Sequence, residues 1–211
     1  MSIFVVFADS TSIAAEYPDP GTFEVLQNES EIRVLVYSGG LLGAFGHNHV
    51  ISTSNITGRI EIAEDPASSS VNLTIPVDSF EVDIESIRLE EGDAFKKKVP
   101  EKDIRSTQNN MLGGKLLNSA NFSNITIWSQ SWSGELPDVR VKSDVTIIGR
   151  ANYLEFPASV NFIDDRIVVT GNFLMRHEQI GLKPFTALLG GLHVRNEIEI
   201  KFLITAGRIR N

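Results

Sequence analysis

Hydrophobic and polar residues alternate with a period of two along much of the chain, a pattern typical of β-strands with one buried face. The clearest example is the stretch 197–202, where Ile198, Ile200 and Phe202 alternate with charged residues. The pattern predicts strands over residues 31–38, 58–63, 71–77, 124–131, 138–148, 155–162, 166–175 and 194–204.

The connections between these strands are short and carry turn-forming residues. Asp164 and Asp165 stand between two apolar runs, so we interpret them as a hairpin turn and not as a catalytic pair of carboxylates. About eight strands, each apolar on one face, favour an antiparallel barrel, closed or nearly closed, or a sandwich. The predicted fold class is therefore all-β, with a short helical insertion.

The insertion covers residues 83–118, where the alternation stops and charged residues become more frequent. Pro100 and Glu101 have the character of a first helical turn, and Ile104 and Met111 then continue an apolar stripe. Gly113 and the glycine after it would weaken or end such a helix. We predict one or two short helices that cover an end or an edge of the barrel.

A length of 211 residues fits one domain, which we place at residues 22–205 with a tail at 206–211. Residues 1–21 form a leader, with a short apolar run at 3–8 and small residues before Glu16. The leader lacks the basic start and the longer apolar region of an export signal. It is either a truncated signal of a periplasmic or otherwise exported protein, or a disordered leader of a cytoplasmic one.

Composition removes several classes of function. The net charge of −8 and the pI of about 5.0 give no basic footprint for nucleic acid, and the run Lys96-Lys97-Lys98 is flanked by acidic residues. The absence of cysteine excludes disulfides, thiolate catalysis and cysteine-based metal centres. No apolar run reaches the ~20 residues of a membrane-spanning helix, so we expect no transmembrane segment.

The pair His47 and His49 is the strongest candidate for chemistry. On a strand, residues two apart point to the same side about 7 Å apart, and a third ligand could complete a metal site there. The candidates for that ligand are His177, Glu178, His193 or an aspartate, and they lie far along the chain with no diagnostic spacing. We therefore favour histidines that line a pocket or bond the backbone, and we interpret His177 as a polar strand end.

The order of several segments resembles the YceI-like family across residues 22–205. The segments are GAFGHNHVISTSNITGRIEI, VNLTIPVDSFEVD, the charged helical stretch ending in MLGGKLL, ANFSNIT, VTIIG, and the closing strands from GNFLM to EIEIKF. The resemblance implies a lipocalin-like antiparallel barrel around an elongated polyisoprenoid or a similar amphiphilic lipid. The chain departs from the family pattern at Asn121, where an acidic residue is usual, and at Arg150.

From the alternation we expect the interior to be lined by the inward-facing apolar residues, namely Val71, Leu73, Ile75, Ile125, Ile127, Phe173, Ile198, Ile200 and Phe202. We place Phe45, His47 and His49 near an opening, where the imidazoles could hold a polar headgroup.

The predicted function is that of a non-enzymatic binding or carrier protein for a polyisoprenoid, quinone-like or fatty-acyl lipid. We expect no catalytic residues and no required cofactor, and we consider a homodimer. The main alternative is a metal-binding or redox-linked barrel that uses His47 and His49. A third alternative is a barrel with a packed core that binds a protein partner.

Overall fold

The protein is described by a computed structural model that covers Tyr17 and residues 19–210. Most of the predicted leader, residues 1–16 and 18, lies outside the described residues. Within the described part, the strands are β1 (Gly21–Val25), β2 (Glu31–Val36), β3 (Ser38–Gly39), β4 (His49–Thr53), β5 (Thr57–Ile62), β6 (Ser70–Pro76), β7 (Glu81–Val82), β8 (Asn124–Glu135), β9 (Asp138–Ile147), β10 (Arg150–Ile163), β11 (Arg166–Arg176), β12 (Thr186–Ala187), β13 (Leu192–Val194) and β14 (Glu197–Arg208). The α-helices are α1 (Glu85–Glu90) and α2 (Glu101–Leu112).

Eight strands close into an antiparallel barrel in the order β1-β5-β6-β8-β9-β10-β11-β14, with β14 pairing back onto β1. The strands β2, β4 and β7 extend the same sheet from β14, because β14 pairs with β2 over its first half and with β1 over its last residues. The barrel predicted from the alternation is thereby confirmed, and closure leaves the eight-stranded ring without free edges.

Inward-facing apolar residues fill one end of the barrel completely. The side chains of Phe23, Ile60, Ile167 and Ala206 are fully or almost fully buried there and pack together. Strand β14 runs through to Arg208, so the residues 206–208 that we assigned to a tail belong to the barrel. This end of the barrel is closed by its own side chains.

The helical insertion packs against the outer face of β2 and β4. Leu35 and Val50 point outward from these strands and bury Phe95, which lies between the two helices. Helix α2 begins after Pro100, whose backbone is extended (φ −61°, ψ 141°), and it ends immediately before Gly113. The insertion therefore contains the short helices predicted from its sequence.

Ion pairs fix the end of α1 to the barrel. The carboxylate of Glu91 is buried between Arg33 on β2, at 2.9 Å, and Lys201 on β14, at 2.5 Å. Burial alone would raise the pKa of Glu91, but the hydrogen bonds from Lys201 and Arg33 outweigh it and lower that pKa. The outer wall beside α1 is thus held by charges as well as by apolar contacts.

The turns follow the chemistry of their residues. Strands β10 and β11 pair up to Ile163 and Arg166, so Asp164 and Asp165 form the predicted two-residue hairpin turn. Asp164 has a φ of 53°, a left-handed conformation that aspartate tolerates better than most residues. A second, three-stranded sheet of β3, β13 and β12 lies at the end of the barrel opposite the closed one.

Candidate functional site

A cavity of about 400 Å³ occupies the barrel interior between the closed end and the small sheet. Its wall is formed by inward-facing apolar side chains of the barrel strands. All nine interior residues predicted from the alternation line this cavity, namely Val71, Leu73, Ile75, Ile125, Ile127, Phe173, Ile198, Ile200 and Phe202.

Three phenylalanines form an aromatic cluster in the wall. The rings of Phe156 and Phe173 are stacked, with centroids 5.0 Å apart and planes within 7°, and Phe202 stands edge-on to both. A Cβ atom at Gly171, directly opposite Phe202 on the neighbouring strand, would lie 2.4 Å from that ring. The glycine therefore makes room for the aromatic cluster. Phe156 of this cluster lies on β10 and was not among the predicted interior residues.

The four histidines of the chain all line the opposite end of the cavity, which we call the histidine end. His47 and His49 come from the segment before and at the start of β4, His177 follows β11, and His193 lies in β13. The rings of His47 and His49 have centroids 6.3 Å apart. The fold thus brings together residues that are up to 146 positions apart in sequence.

His49 is held by a short hydrogen bond to a buried carboxylate. Its Nδ1 lies 2.6 Å from one carboxylate oxygen of Asp83, whose side chain is fully buried. The other oxygen of Asp83 accepts hydrogen bonds from the backbone N–H of Val50 and from the guanidinium of Arg88, at 3.0 and 2.5 Å. Burial alone would raise the pKa of Asp83, but its hydrogen bonds and charged neighbours lower it, so the carboxylate is ionised.

Arg88 connects this pair to the rest of the insertion. Its guanidinium also donates to the backbone carbonyls of Asn48 and Lys97, at 2.7 and 3.0 Å, and stacks over Phe95. One buried side chain on α1 therefore fixes both the His49 strand and the loop before α2.

His47 is less firmly held. Its Nε2 lies 3.5 Å from a carboxylate oxygen of Asp103 on α2, and its buried Nδ1 has no hydrogen-bond partner among the described residues. Burial and the nearby charge of Lys97 lower the pKa of His47. The ring is consequently neutral at neutral pH.

His177 differs from its prediction as a polar strand end. Its side chain is only 6% exposed, it lines the cavity, and its Nδ1 lies 2.9 Å from the backbone carbonyl of Asn196. Burial lowers the pKa of His177, although the hydrogen bond to Asn196 works against this. Long-range pairing of the strand ends buries the ring, and the local sequence around it contains no signal of this.

Phe45 is the one predicted ligand-binding residue that does not line the cavity. It lies in a short 3₁₀ turn at Gly43–Phe45, and its side chain is 79% exposed. We predicted that Phe45 lies near an opening with the two histidines, and its neighbour Gly46 does line the cavity.

Helix α2 and the segment after it also contribute to the histidine end. Thr107, Asn110 and Met111 on α2, and Leu116 and Leu117 after it, line the cavity. The sequence predicted a helix that covers an end of the barrel, but not which of its residues face the interior.

The metal alternative gains no support from the site. Across the described residues, no group of three or more His, Asp or Glu side chains is arranged to hold a metal ion. The Nδ1 of His49 is occupied by Asp83, and neither His177 nor His193 joins the pair His47 and His49 in a common cluster.

The fold and site define a small antiparallel barrel with an apolar cavity. Side chains pack one end of the barrel, and histidines line the cavity at the other end. The chain belongs to the YceI-like family, whose domain matches residues 23–206. No curated protein sequence matches the chain. None of the helices within Tyr17 and residues 19–210 has both the length and the hydrophobicity to span a membrane.

Solved structures resemble this fold at low sequence identity. Burkholderia cenocepacia BcnA is 13% identical with a TM-score of 0.63, covering 86% of this chain and 98% of its own. A polyisoprenoid binding domain from Saccharophagus degradans, implicated in plant cell wall breakdown, is 13% identical with a TM-score of 0.60, covering 89% and 98%. The Campylobacter jejuni YceI protein is 9% identical with a TM-score of 0.53, covering 76% and 85%. These similarities support the lipocalin-like barrel fold.

Proposed function

We propose that the protein is a non-enzymatic carrier that holds an elongated apolar lipid, of the isoprenoid type, in its barrel. The observation that carries this proposal is the 400 Å³ cavity, which lies within the ~300–1,000 Å³ range of small-molecule sites. Its wall is apolar along the barrel, and its polar side chains gather mainly at the histidine end. This polarity suits a ligand with a long apolar chain and one polar head.

The family and one similar structure support the class of ligand. The Saccharophagus degradans domain of the same fold is described as polyisoprenoid-binding. Quinone-like and fatty-acyl lipids have the same shape, and they are the alternatives to be compared with isoprenoids.

Energetics favours a long chain. Burying a five-carbon isoprene unit contributes ~3–4 kcal/mol, at about 0.8 kcal/mol per CH₂. Association and the ordering of the chain cost ~4–15 kcal/mol, so a ligand of one or two units would bind weakly. Affinity should therefore rise from farnesol to geranylgeraniol and to solanesol, until the cavity is full.

Native mass spectrometry tests the proposal in two ways. The protein purified from its own host is examined for a bound lipid, and delipidated protein is then mixed with farnesol, geranylgeraniol or solanesol to measure uptake. A co-purifying lipid and uptake of the longer alcohols are expected. A bare mass together with no uptake of any of the three alcohols would refute the proposal. Stoichiometric metal that is lost when His47 and His49 are both replaced by alanine would favour the metal alternative.

A matched pair of variants tests whether the lipid lies inside the barrel. Val169 on β11 lines the cavity, whereas its neighbour Val168 does not. Val169→Trp should fill part of the cavity and reduce solanesol uptake, and Val168→Trp should leave uptake unchanged. Equal uptake by the two variants would place the ligand elsewhere.

Export, the absence of a required cofactor and a homodimer stay predictions. The N-terminal sequence of the protein isolated from its host would test export, and light scattering of the lipid-loaded protein would test the assembly.

A further inference from the structure

Two histidines at the cavity present the same nitrogen as a hydrogen-bond acceptor. In His49 the Nδ1–H donates to the ionised carboxylate of Asp83, which leaves the lone pair of Nε2 for the cavity side. The hydroxyl of Thr107 lies 3.4 Å from this Nε2, longer than the ~2.7–3.2 Å of a good hydrogen bond. The acceptor is therefore weakly used within the protein.

His177 has the same tautomer for a different reason. A backbone carbonyl can only accept, so the Nδ1–H of His177 donates to Asn196 at 2.9 Å. In the part of the chain that the structure describes, Nε2 of His177 has no hydrogen-bond partner, although the ring lines the cavity. A second acceptor thus faces the same end.

The charges around this end do not suit an anionic headgroup. None of the cavity-lining side chains among the described residues is Lys, Arg, Asp or Glu. Arg88 is already neutralised by Asp83, and Lys97 borders a separate, smaller pocket beside His47. Asp103, beside His47, would repel an anion. A phosphate or carboxylate inside the cavity would therefore meet no cationic side chain among the described lining residues. The nearby cations Lys97 and Arg195 lie outside that lining, and Arg195 already donates to the backbone carbonyl of Ser38.

We propose that the histidine end selects a lipid with a neutral, hydrogen-bond-donating headgroup, such as the hydroxyl of a polyprenol. Nε2 of His49 and Nε2 of His177 are the acceptors, and Asp83 and Arg88 are the positioning residues that fix the first of them. This inference rests on the proposed function, because it needs the lipid chain to occupy the barrel. It predicts discrimination against lipids that can only accept hydrogen bonds, and against phosphorylated lipids.

The test uses three ligands with one chain and different heads: solanesol, its methyl ether and solanesyl phosphate. Their dissociation constants for the delipidated full-length protein are measured by competition with a neutral fluorescent lipid. Solanesol should bind about tenfold more tightly than the ether, the effect of one hydrogen bond to an otherwise unpaired acceptor, and more tightly than the phosphate. His49→Leu should lower the ratio of alcohol to ether affinity while leaving ether binding in place, because only Nε2 of His177 is then left to accept from the hydroxyl.

The outcomes separate this inference from the proposed function. Equal binding of alcohol and ether, or tightest binding of the phosphate, overturns the headgroup selection and leaves a lipid carrier intact. No binding of any of the three overturns both. Should His49→Leu fail to fold, the wild-type ligand series still decides, and His177→Leu provides a second variant in which the alcohol-to-ether ratio should fall.

Discussion

The buried pair of Asp83 and Arg88 allows a substitution that changes charge without changing backbone preference. Asp83 has a φ of 59°, a left-handed conformation that asparagine adopts as readily as aspartate. Asp83→Asn keeps the size of the side chain but removes its charge and one of its two acceptor oxygens. We expect a large loss of stability from this change.

The magnitude follows from the contacts. The two carboxylate oxygens accept from three donors, on His49, Val50 and Arg88, at 2.6, 3.0 and 2.5 Å. An asparagine has one acceptor oxygen, so its NH₂ group must face either the donors on Val50 and Arg88 or the ring of His49, which must then change its tautomer. The buried guanidinium also loses its counterion, and removing one partner of a buried ion pair costs about 3–5 kcal/mol.

Urea unfolding at neutral pH, followed by tryptophan fluorescence and circular dichroism, measures this loss. With slopes of ~1–3 kcal/mol per molar urea, the transition midpoint should fall by at least about 1 M. Asp164→Asn is the matched control, because Asp164 has a φ of 53° and an exposed side chain. The control should change the free energy of unfolding by less than about 0.5 kcal/mol. Equal, small effects of the two substitutions would refute the view that Asp83 holds a buried charge.

Two further predictions concern the cavity wall and the pH dependence of stability. Gly171→Ala places a Cβ 2.4 Å from the Phe202 ring and 3.0 Å from the backbone carbonyl oxygen of Pro157, so the ring must leave its present position in the cavity wall. Unfolding in urea should therefore show a loss of about 1–3 kcal/mol, and solanesol uptake should fall. Unchanged affinity and stability would contradict this packing. Burial lowers the pKa of His177 below its ordinary value of 6.5, so the unfolded chain binds more protons than the folded protein over that interval. Stability should therefore fall as the pH drops from about 6.5 through the folded-state pKa. In His177→Leu, the urea midpoint should depend less on pH between about pH 7 and pH 5 than it does in the wild type. Parallel profiles for variant and wild type would contradict this prediction.

The alternation of residues was sufficient to predict the interior of the barrel. A strand turns successive side chains to opposite faces, so once Ile198, Ile200 and Phe202 are assigned to one face, their position follows. The rule does not reach Phe45, because a 3₁₀ turn has no such alternation. Periodicity thus predicts which side chains of a regular strand face the interior, but it predicts no side-chain orientation where the backbone leaves the strand.

The histidine end could not be assembled from the sequence. His177 is buried because β11 and β14 bring it beside Asn196, and the partner of His49 is Asp83, 34 residues later in the chain. Neither contact has a local signature, since each depends on the pairing of strands that are distant in sequence, β11 with β14 and β4 with β7. The sequence indicated that the insertion contains helices. It did not indicate that the start of the insertion supplies the carboxylate of Asp83 and the guanidinium of Arg88, which hold His49 in place.

The position of that ion pair connects the outer wall to the cavity. Asp83 follows β7 directly, and its backbone N–H donates to the carbonyl of Val50 in β4, so the carboxylate is delivered at the edge of the sheet where His49 lies. Arg88, one turn into α1, binds the same carboxylate. Its guanidinium also lies over the ring of Phe95, which packs against the outer face of the barrel. Packing of the insertion outside the barrel and the orientation of an imidazole inside it therefore depend on the same two charges. A change that loosens the insertion should also release the tautomer of His49, so stability and headgroup preference should change together in Asp83→Asn.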